Sequence, residues 1–484
     1  MSGRSTPGRA ASLAAQRRLA LTTRRLPAWT VAIFSIGAAI YAVLFLGAIG
    51  SADSELLHGL TVLPVLLALT IPIALRIARS DDDPALFAIV MAGVVTKLLT
   101  AYLRFFVSFE VYSTSDAAQY HRAALELAPR FRDGIFDPGI GSLSGTNFIK
   151  VASGVVYAIF GVSLVSAFFI FSWLAFLGLL LLARAFKIAI PSGDSKRYMI
   201  LVLFLPSLAY WSSALGKEAW MTLAIGLCAY GVACLLRGRS VGFVSLGIGL
   251  VASLVVRPHI SLMVFIGLLC ALVVRRAPAR SYASPLFRML SLLLMLVLGI
   301  ALAGRTASFV DRELQQSKGD DLSSTLTLDG VTNTLSDTER QTADGGSEFT
   351  PVTVNTPLDL PLAIVTVYFR PFPFEASNAQ SLLSAAEGIL LALLILVSWK
   401  RIRATPRLIR TAPYLAFCLG YLFVFAYAFS SFSNFGILAR QRVQALPFLL
   451  VFLALPDVRT LPAKLKKPHF AQLRPPPTTH RRAR

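Results

Sequence analysis

The sequence predicts an all-α polytopic membrane protein. Of its 484 residues, 55% are hydrophobic and only 15% are charged, and the mean hydropathy is +0.67. One soluble core could not bury that much apolar surface. A helix needs about 20 apolar residues to cross the hydrocarbon layer, and the chain contains many apolar runs of roughly that length.

The apolar runs predict twelve transmembrane crossings, and the basic residues between them predict their direction. The crossings are expected at about 29–50, 59–75, 85–107, 163–184, 198–214, 217–236, 241–256, 260–274, 284–304, 379–399, 411–431 and 441–456. Basic residues fall in every second loop, and the positive-inside rule makes that side the cytoplasm. Both termini are therefore predicted to be cytoplasmic. The loops concerned contain Arg76, Arg79, Arg184, Lys187, Lys196, Arg197, Arg237, Arg239, Arg275, Arg276, Arg280, Arg288, Lys400, Arg401, Arg403, Arg407 and Arg410.

The net charge of +21 is concentrated beside the membrane segments rather than in a separate domain. Residues 1–28 form a basic cytoplasmic arm with six arginines before residue 26, and 457–484 form a basic, Pro-rich tail predicted to be disordered. This placement favours contact with anionic lipid over nucleic-acid binding. The run 29–50 is too long for a signal-peptide core, so it is predicted to be a retained anchor that begins a transmembrane domain over 29–456. Arginine outnumbers lysine, which is typical of a GC-rich bacterial genome, and the predicted location is the bacterial cytoplasmic membrane.

Two long loops are predicted on the extracytoplasmic face. The first, 108–162, contains "AAQYHRAALELAPRFR" and "FIKVASGVVYAIF", which have the pattern of amphipathic helices on a bilayer surface. The second, 305–378, is rich in polar residues, and its middle has almost no apolar material to pack, so it is predicted to be a mobile loop.

Ionisable residues near helix ends gather on this same predicted outer face. Each also has a purely structural explanation, such as a helix cap, a solvated turn or a contact with lipid headgroups. Their shared face is the stronger observation, because polar groups at membrane depth usually mark a functional cavity. The set comprises Asp116, Tyr120 and His121 in the first loop; Lys217 and Glu218 before a crossing; Arg257 and His259 at a hairpin tip; Arg370 and Glu375 in "RPFPFE"; and Arg440 and Arg442 in "NFGILARQR".

Such a set suits an anionic substrate. Arginine offers a forked donor that matches phosphate oxygens, and lysine supplies a point charge. The chain has no nucleotide-binding motif, so a phosphate already in the membrane, such as a polyprenyl-phosphate sugar, is the expected donor. Sugar transfer needs a carboxylate to deprotonate the acceptor hydroxyl and cations to stabilise the departing phosphate.

The motif "SDAAQYHRAALELA", in the first long outer loop of a many-span chain, resembles the GT-C superfamily of polyprenyl-phosphate-dependent glycosyltransferases. The resemblance implies a catalytic base at Asp116 and an acceptor that is a cell-envelope glycan or glycolipid. "RPFPFEASN" and "ARQRVQALPFLL" are similar to segments of bacterial envelope-polysaccharide membrane proteins. The chain departs from the family pattern because Asp116 lacks an adjacent acid and its loop follows the third crossing, so Glu218 stands as the alternative base.

The remaining site residues are given supporting roles. Lys217, Arg257, Arg440 and Arg442 are expected to hold the lipid phosphate, and Tyr120 and His259 to line the acceptor path. The four cysteines lie in apolar runs and indicate no disulfide or metal set, so no metal or cofactor is predicted.

Three other functions stay open from the sequence. A polysaccharide polymerase or ligase of the O-antigen type would use the long 305–378 loop with Arg370. A transporter or lipid flippase would place charges near the bilayer midplane, where Lys97 in "GVVTKLLT" lies. The last alternative is a structural scaffold.

Overall fold

In the described part of the protein, all regular secondary structure is helical, and there is no β-strand. The computed structural model describes residues 39, 41–51, 54–111, 116–139, 142–275, 299–306, 349, 351–352, 354, 356, 358–376, 378–457 and 459. The predicted N-terminal arm, most of the C-terminal tail, the middle of the 305–378 loop and most of the 284–304 crossing lie outside these residues. The chain divides into two compact units, 1–61 and 62–484. In the first, the Tyr41 hydroxyl donates to the Leu60 carbonyl at 2.9 Å.

Sixteen helices of five or more residues carry the labels used below, and two single turns and a 3₁₀ turn at Pro373–Glu375 connect some of them. The helices are α1 (Tyr41–Gly50), α2 (Ser54–Asp81), α3 (Ala85–Phe106), α4 (Asp116–Arg132), α5 (Thr146–Phe160), α6 (Leu164–Ala189), α7 (Ser195–Phe204), α8 (Pro206–Tyr210), α9 (Lys217–Leu236), α10 (Val241–Val256), α11 (Pro258–Val274), α12 (Leu360–Phe369), α13 (Ala379–Val397), α14 (Tyr414–Ala428), α15 (Phe435–Arg442) and α16 (Leu446–Leu453).

Several of these helices are long and apolar enough to cross a membrane. Among the described residues, α2, α3 with its π-helical extension to Val111, α6, α9 and α13 meet that description, and α15 with α16 forms a sixth candidate bent by 58°. Helices such as α10, α11 and α14 coincide with predicted crossings but have only 15 to 17 residues. The protein is therefore a helical membrane protein, and the count of twelve crossings stays a prediction.

The predicted crossing 198–214 is not one continuous helix. The first part, α7, ends at Phe204 because Pro206 disfavours helical dihedrals at the residue before it, and Leu205 is extended (φ −62°, ψ 127°). Helix α8 then makes little more than one turn, and 211–216 form a non-helical segment before α9 begins at Lys217. We call 211–216 the break.

The core is built on α6 and α9, which run parallel. Small residues let their backbones approach, because Gly178 faces the backbone at Thr222 and Gly226 faces Gly178, and neither position has room for a side chain. Arg237, just after α9, donates to the carbonyls of Ile188 and Ala189 near the end of α6, at 3.0 and 2.9 Å.

Three of the loops predicted to be cytoplasmic come together at one end of the bundle, and Arg237 brings a fourth there through the carbonyls of Ile188 and Ala189. Asp81, the last residue of α2, pairs with Arg184 of α6, and the α6–α7 connection pairs in turn with the segment after α13. The N–O distances are 2.8 Å for Arg184–Asp81, 3.2 Å for Lys196–Asp83 and 3.4 Å for Arg401–Asp194.

The loop 108–162, predicted to be extracytoplasmic, contains the two helices expected there. Apolar residues recur every three to four positions along α4 and bury its face against α5. Leu127 and Phe131 of α4 lie directly against Gly154 of α5. In the second loop, the sequence analysis missed α12, whose ten residues are too few for a crossing but bury Ala363, Val367 and Tyr368.

Candidate functional site

Four chain segments that are distant in sequence meet at an ionic cluster, which we define as Asp116, Glu218, Arg257 and Arg440. Asp116 begins α4, Glu218 is the second residue of α9, Arg257 connects α10 to α11, and Arg440 lies in the last turn of α15. All four were predicted as site residues. All four charged residues of the cluster therefore lie at or beside helix ends. Polar residues are favoured there because a helix leaves backbone groups unpaired at its ends.

Arg440 connects two carboxylates. Its Nη2 donates to Asp116 Oδ2 at 2.9 Å and to Glu218 Oε1 at 3.2 Å. The two carboxylate oxygens therefore lie within the reach of one guanidinium nitrogen. The side chains differ in environment, because that of Asp116 is 62% exposed and that of Glu218 only 7%.

Arg257 completes the cluster from the buried side. Its Nη2 donates to the same Glu218 Oε1 at 3.1 Å, and its side chain is 9% exposed. Its other terminal nitrogen, Nη1, is buried and has no hydrogen-bond partner within the described part of the chain. A buried guanidinium nitrogen without an acceptor is costly, so Nη1 is a donor that a ligand could use.

Tyr120 borders the cluster one turn into α4. Its ring lies close to Gly216, beside the Glu218 carboxylate, and the residue is 2% exposed. Burial, together with the negative charges of Asp116 and Glu218, raises the pKa of the Tyr120 hydroxyl well above its ordinary value, against the opposing effect of Arg440 and Arg257. The hydroxyl therefore stays protonated at neutral pH and is able to donate a hydrogen bond.

Two further predicted residues adjoin the cluster through the chain. Lys217 is the first residue of α9 and is half-buried next to Glu218. His259 is the second residue of α11 and meets the ring of Phe429 edge-on, with ring centres 6.0 Å apart.

The other four predicted residues engage different neighbours. His121 binds the hydroxyl of Tyr157 on α5 through Nδ1 at 2.6 Å, so it joins α4 to α5. Both terminal nitrogens of Arg442 donate to backbone carbonyls, those of Tyr368 and Arg370, at 2.8 and 2.9 Å. The prediction that Arg442 holds a phosphate gains no support from this arrangement, because its strongest donors cap the end of α12.

Arg370 and Glu375 form a pair within their own loop. The Arg370 Nε donates to both carboxylate oxygens of Glu375, at 3.0 and 3.1 Å, and its guanidinium lies over the rings of Phe349 and Phe435. Burial acts to raise the pKa of Glu375, but the hydrogen bonds and charge of Arg370 and a hydrogen bond from the Phe372 amide outweigh it and lower the pKa below its usual value. The pair therefore braces the loop.

The sequence analysis missed one buried carboxylate. Glu387 lies in the middle of α13 and is 7% exposed. It accepts hydrogen bonds from the backbone amide and the hydroxyl of Ser207, at the start of α8. A single acid inside an apolar run was the sequence pattern that could have identified it.

In the described residues, no three His, Cys, Asp or Glu side chains are placed to hold a metal ion. Comparison with known proteins identifies no relative, because no protein-family model, curated protein or solved structure matches the chain.

Proposed function

We propose that the protein is an integral membrane glycosyltransferase. It moves a sugar from a polyprenyl-phosphate carrier to a cell-envelope glycan or glycolipid. The observation that supports this best is the ionic cluster, in which the buried Nη1 of Arg257 has unused donors and Asp116 presents an exposed carboxylate. A phosphate that enters there meets two guanidinium groups, Arg257 and Arg440, near a base for the acceptor.

The surroundings of the two carboxylates assign their roles. Glu218 is buried between two guanidinium groups, and both hold it ionised and in place. It therefore serves to fix Arg257 and Arg440. Asp116 has one oxygen on Arg440 and is mostly exposed, so its other oxygen is available to an acceptor hydroxyl.

The transfer is balanced by these groups. Asp116 takes the proton of the acceptor hydroxyl as that oxygen forms a bond to the anomeric carbon of the donor sugar. The bond from that carbon to the carrier phosphate breaks, and its electron pair leaves with the phosphate. Arg257 and Arg440 stabilise the charge that develops on the departing phosphate.

An apolar cavity supports a lipid-linked donor. It has a volume of about 320 Å³ and lies between α12 and α13, and its lining includes Phe369, Phe372 and Ile389. Phe369 precedes Arg370, whose carbonyl accepts from Arg442 of α15, the helix that also carries Arg440. The cavity is suited to part of a hydrocarbon chain, and its wall is joined to α15 through the hydrogen bond between Arg442 and Arg370.

The proposal places the ionic cluster on the extracytoplasmic face of a bacterial cytoplasmic membrane. The predicted cytoplasmic loops meet at one end of the bundle, beside the C-terminal end of α9. Glu218 lies at the N-terminal end of the same helix. By the positive-inside rule the basic end faces the cytoplasm.

The test is the cell-envelope glycan made by variants that reach the membrane in normal amount. We expect Asp116→Asn and Arg257→Ala each to lower the amount of glycan product about 10²-fold or more, since each removes a group that acts on the transition state. Asp133→Asn is the matched control, because Asp133 is an exposed aspartate just after the same helix. Wild-type glycan in both site variants would remove the assignment. Transfer of a whole repeat instead of one sugar would identify a polymerase or ligase.

A second candidate function is transport of a lipid or anion. It is favoured by the break within the apolar core and by the buried charges of Lys97 and Glu387. Proteoliposomes that contain a fluorescent lipid phosphate distinguish the two functions. Movement of this lipid across the bilayer in the absence of any acceptor would support transport. A protein preparation that transfers sugar but does not move the lipid would exclude transport.

A further inference from the structure

One face of α3 carries a polar stripe directed at the break. Lys97, Thr100 and Arg104 are spaced three and four residues apart, so they lie on the same side of the helix. All three contact the segment 208–213. Lys97 is 1% exposed, so its side chain is enclosed by the protein rather than extended towards solvent or lipid.

The amine of Lys97 is surrounded by oxygen atoms. Nζ lies 2.7 Å from the Leu208 carbonyl, 3.2 Å from the Ala209 carbonyl and 2.6 Å from Ser212 Oγ. The single proton of the Ser212 hydroxyl is directed to the Leu208 carbonyl at 2.8 Å. All three neighbours of Nζ therefore act as acceptors, and only an ammonium group, with three N–H donors, satisfies them together.

These carbonyls need partners because α8 ends there. In a continuing helix, the Leu208 and Ala209 carbonyls would accept from amides four residues on, but the Ser213 amide bonds to Tyr210 instead. Side-chain hydroxyls lie where those amides would be: Thr100 Oγ1 is 2.9 Å from the Ala209 carbonyl oxygen, and Ser213 Oγ is also within hydrogen-bond distance of it.

Arg104 holds the next part of the break. Its Nη1 donates to the Tyr210 hydroxyl at 3.1 Å, and its guanidinium carbon lies 4.9 Å from the centre of the Tyr210 ring and 4.6 Å from that of Trp211. The stripe on α3 thus contacts every residue from Leu208 to Ser213 through a hydrogen bond or a ring face.

The break leads directly into the ionic cluster. Leu215 and Gly216 are buried, Gly216 lies against Tyr120, and Glu218 follows two residues later. The position of the Glu218 carboxylate between Arg257 and Arg440 therefore depends on where the break holds the start of α9.

We propose that Lys97 is a positioning residue for the ionic cluster, in which its ammonium acts as a tethered cation that binds the carbonyls left open at the end of α8. A free monovalent cation would find the same two carbonyls and hydroxyl in an unwound transmembrane helix, and here the protein supplies the charge covalently. The positioning role rests on the proposed function, whereas the tethered-cation role does not.

The first experiment measures the tethered cation by chemical rescue of the full-length protein in detergent. Lys97→Ala should lower the thermal unfolding midpoint by about 5 °C, since it removes three buried hydrogen bonds. Propylammonium should restore the midpoint in a saturable manner, and propanol, which fills the space without a charge, should not. Lys97→Met fills the same space and should be destabilised without any rescue. Lys150→Ala, at a half-buried lysine of α5, is the matched control and should show no dependence on propylammonium.

The second experiment reports on the break itself. Ala214→Cys, in a Cys270→Ser background, provides a thiol at a half-buried position in the break. Lys97→Met should make this thiol react with a small maleimide about tenfold faster, because the break opens locally more often. Two results would overturn the proposal. One is that Lys97→Met changes neither the stability of the protein nor the labelling rate of Ala214→Cys. The other is that propylammonium does not rescue Lys97→Ala.

The third measurement is the glycan product in the same variants. Lys97→Met should reduce it, and propylammonium should recover it in Lys97→Ala membranes. Faster labelling with an unchanged product would overturn the positioning role. A wild-type protein that makes no glycan would instead refute the proposed function, while the rescue and labelling results would still decide the role of Lys97.

Discussion

At the scale of single residues, Glu218 and Asp116 share Arg440 but differ in what their removal should cost. Loss of a buried ion-pair partner leaves charges uncompensated and costs about 3–5 kcal/mol, whereas an exposed pair contributes about 0–1 kcal/mol. We therefore expect Glu218→Gln to destabilise the protein by about 3 kcal/mol and Asp116→Asn by less than about 1 kcal/mol. Unfolding of both variants in detergent, followed by circular dichroism, measures the difference. Equal destabilisation would show that Glu218 is not held as described.

Arg370 and Glu375 give a prediction about pH. The pKa of Glu375 is lower in the folded protein than its ordinary value of about 4.3. The pair therefore contributes its full stability above that value, and the contribution is lost as the pH falls through the lowered folded pKa. The difference in unfolding midpoint between wild-type protein and Glu375→Gln should be constant from pH 7 to about pH 5 and shrink below about pH 4. A difference that does not change with pH would contradict the pair.

The sequence predicted only in part which residues face one another. The positive-inside rule predicted that the site residues share one side of the membrane, and five of them, Asp116, Tyr120, Glu218, Arg257 and Arg440, do lie together in the structure. The individual pairings were not predictable, because a pairing depends on how helices distant in sequence pack. For the same reason, the sequence did not reveal that both terminal nitrogens of Arg442 donate to backbone carbonyls at the end of α12.

At the scale of helices, the contact between α6 and α9 depends on glycine. A side chain at Gly226 would overlap the backbone of Gly178, so Gly226→Val should destabilise the protein by about 3 kcal/mol or prevent its insertion. Gly247 of α10 has open space around it, so Gly247→Val is a matched control and should be tolerated. Yield and unfolding midpoint of the purified variants measure the contrast. If both variants behave alike, the close approach of α6 and α9 is wrong.

Helix boundaries were predicted well where hydrophobicity alone decides them. The prediction 241–256 coincides with α10, and 85–107 differs from α3 by one residue. The same reasoning did not predict that the helices over 198–214 and 441–456 are interrupted, because an apolar composition does not reveal a break. In each, a proline begins the second helix, at Pro206 and near Pro447, and was the available indication.

At the scale of the whole molecule, the orientation can be tested without knowledge of the reaction. Asp133, after α4, and Arg239, after α9, are both exposed. In intact cells, a membrane-impermeant maleimide should label Asp133→Cys and should label Arg239→Cys only after the membrane is opened. Labelling in the reverse order would place the ionic cluster in the cytoplasm and exclude an extracytoplasmic lipid-linked donor.

The single nitrogen that Arg440 offers to both Asp116 and Glu218 has a further consequence for the order of events. A phosphate that competes for this nitrogen would weaken the hydrogen bond to Asp116 first, because Glu218 keeps a second partner in Arg257. The acid at the surface would then be restrained in the empty protein and released only once the anionic guest has arrived. Under the proposed function, Asp116 already has one unused oxygen, and loss of the Arg440 contact would free the whole side chain to turn towards the acceptor hydroxyl when the donor is bound.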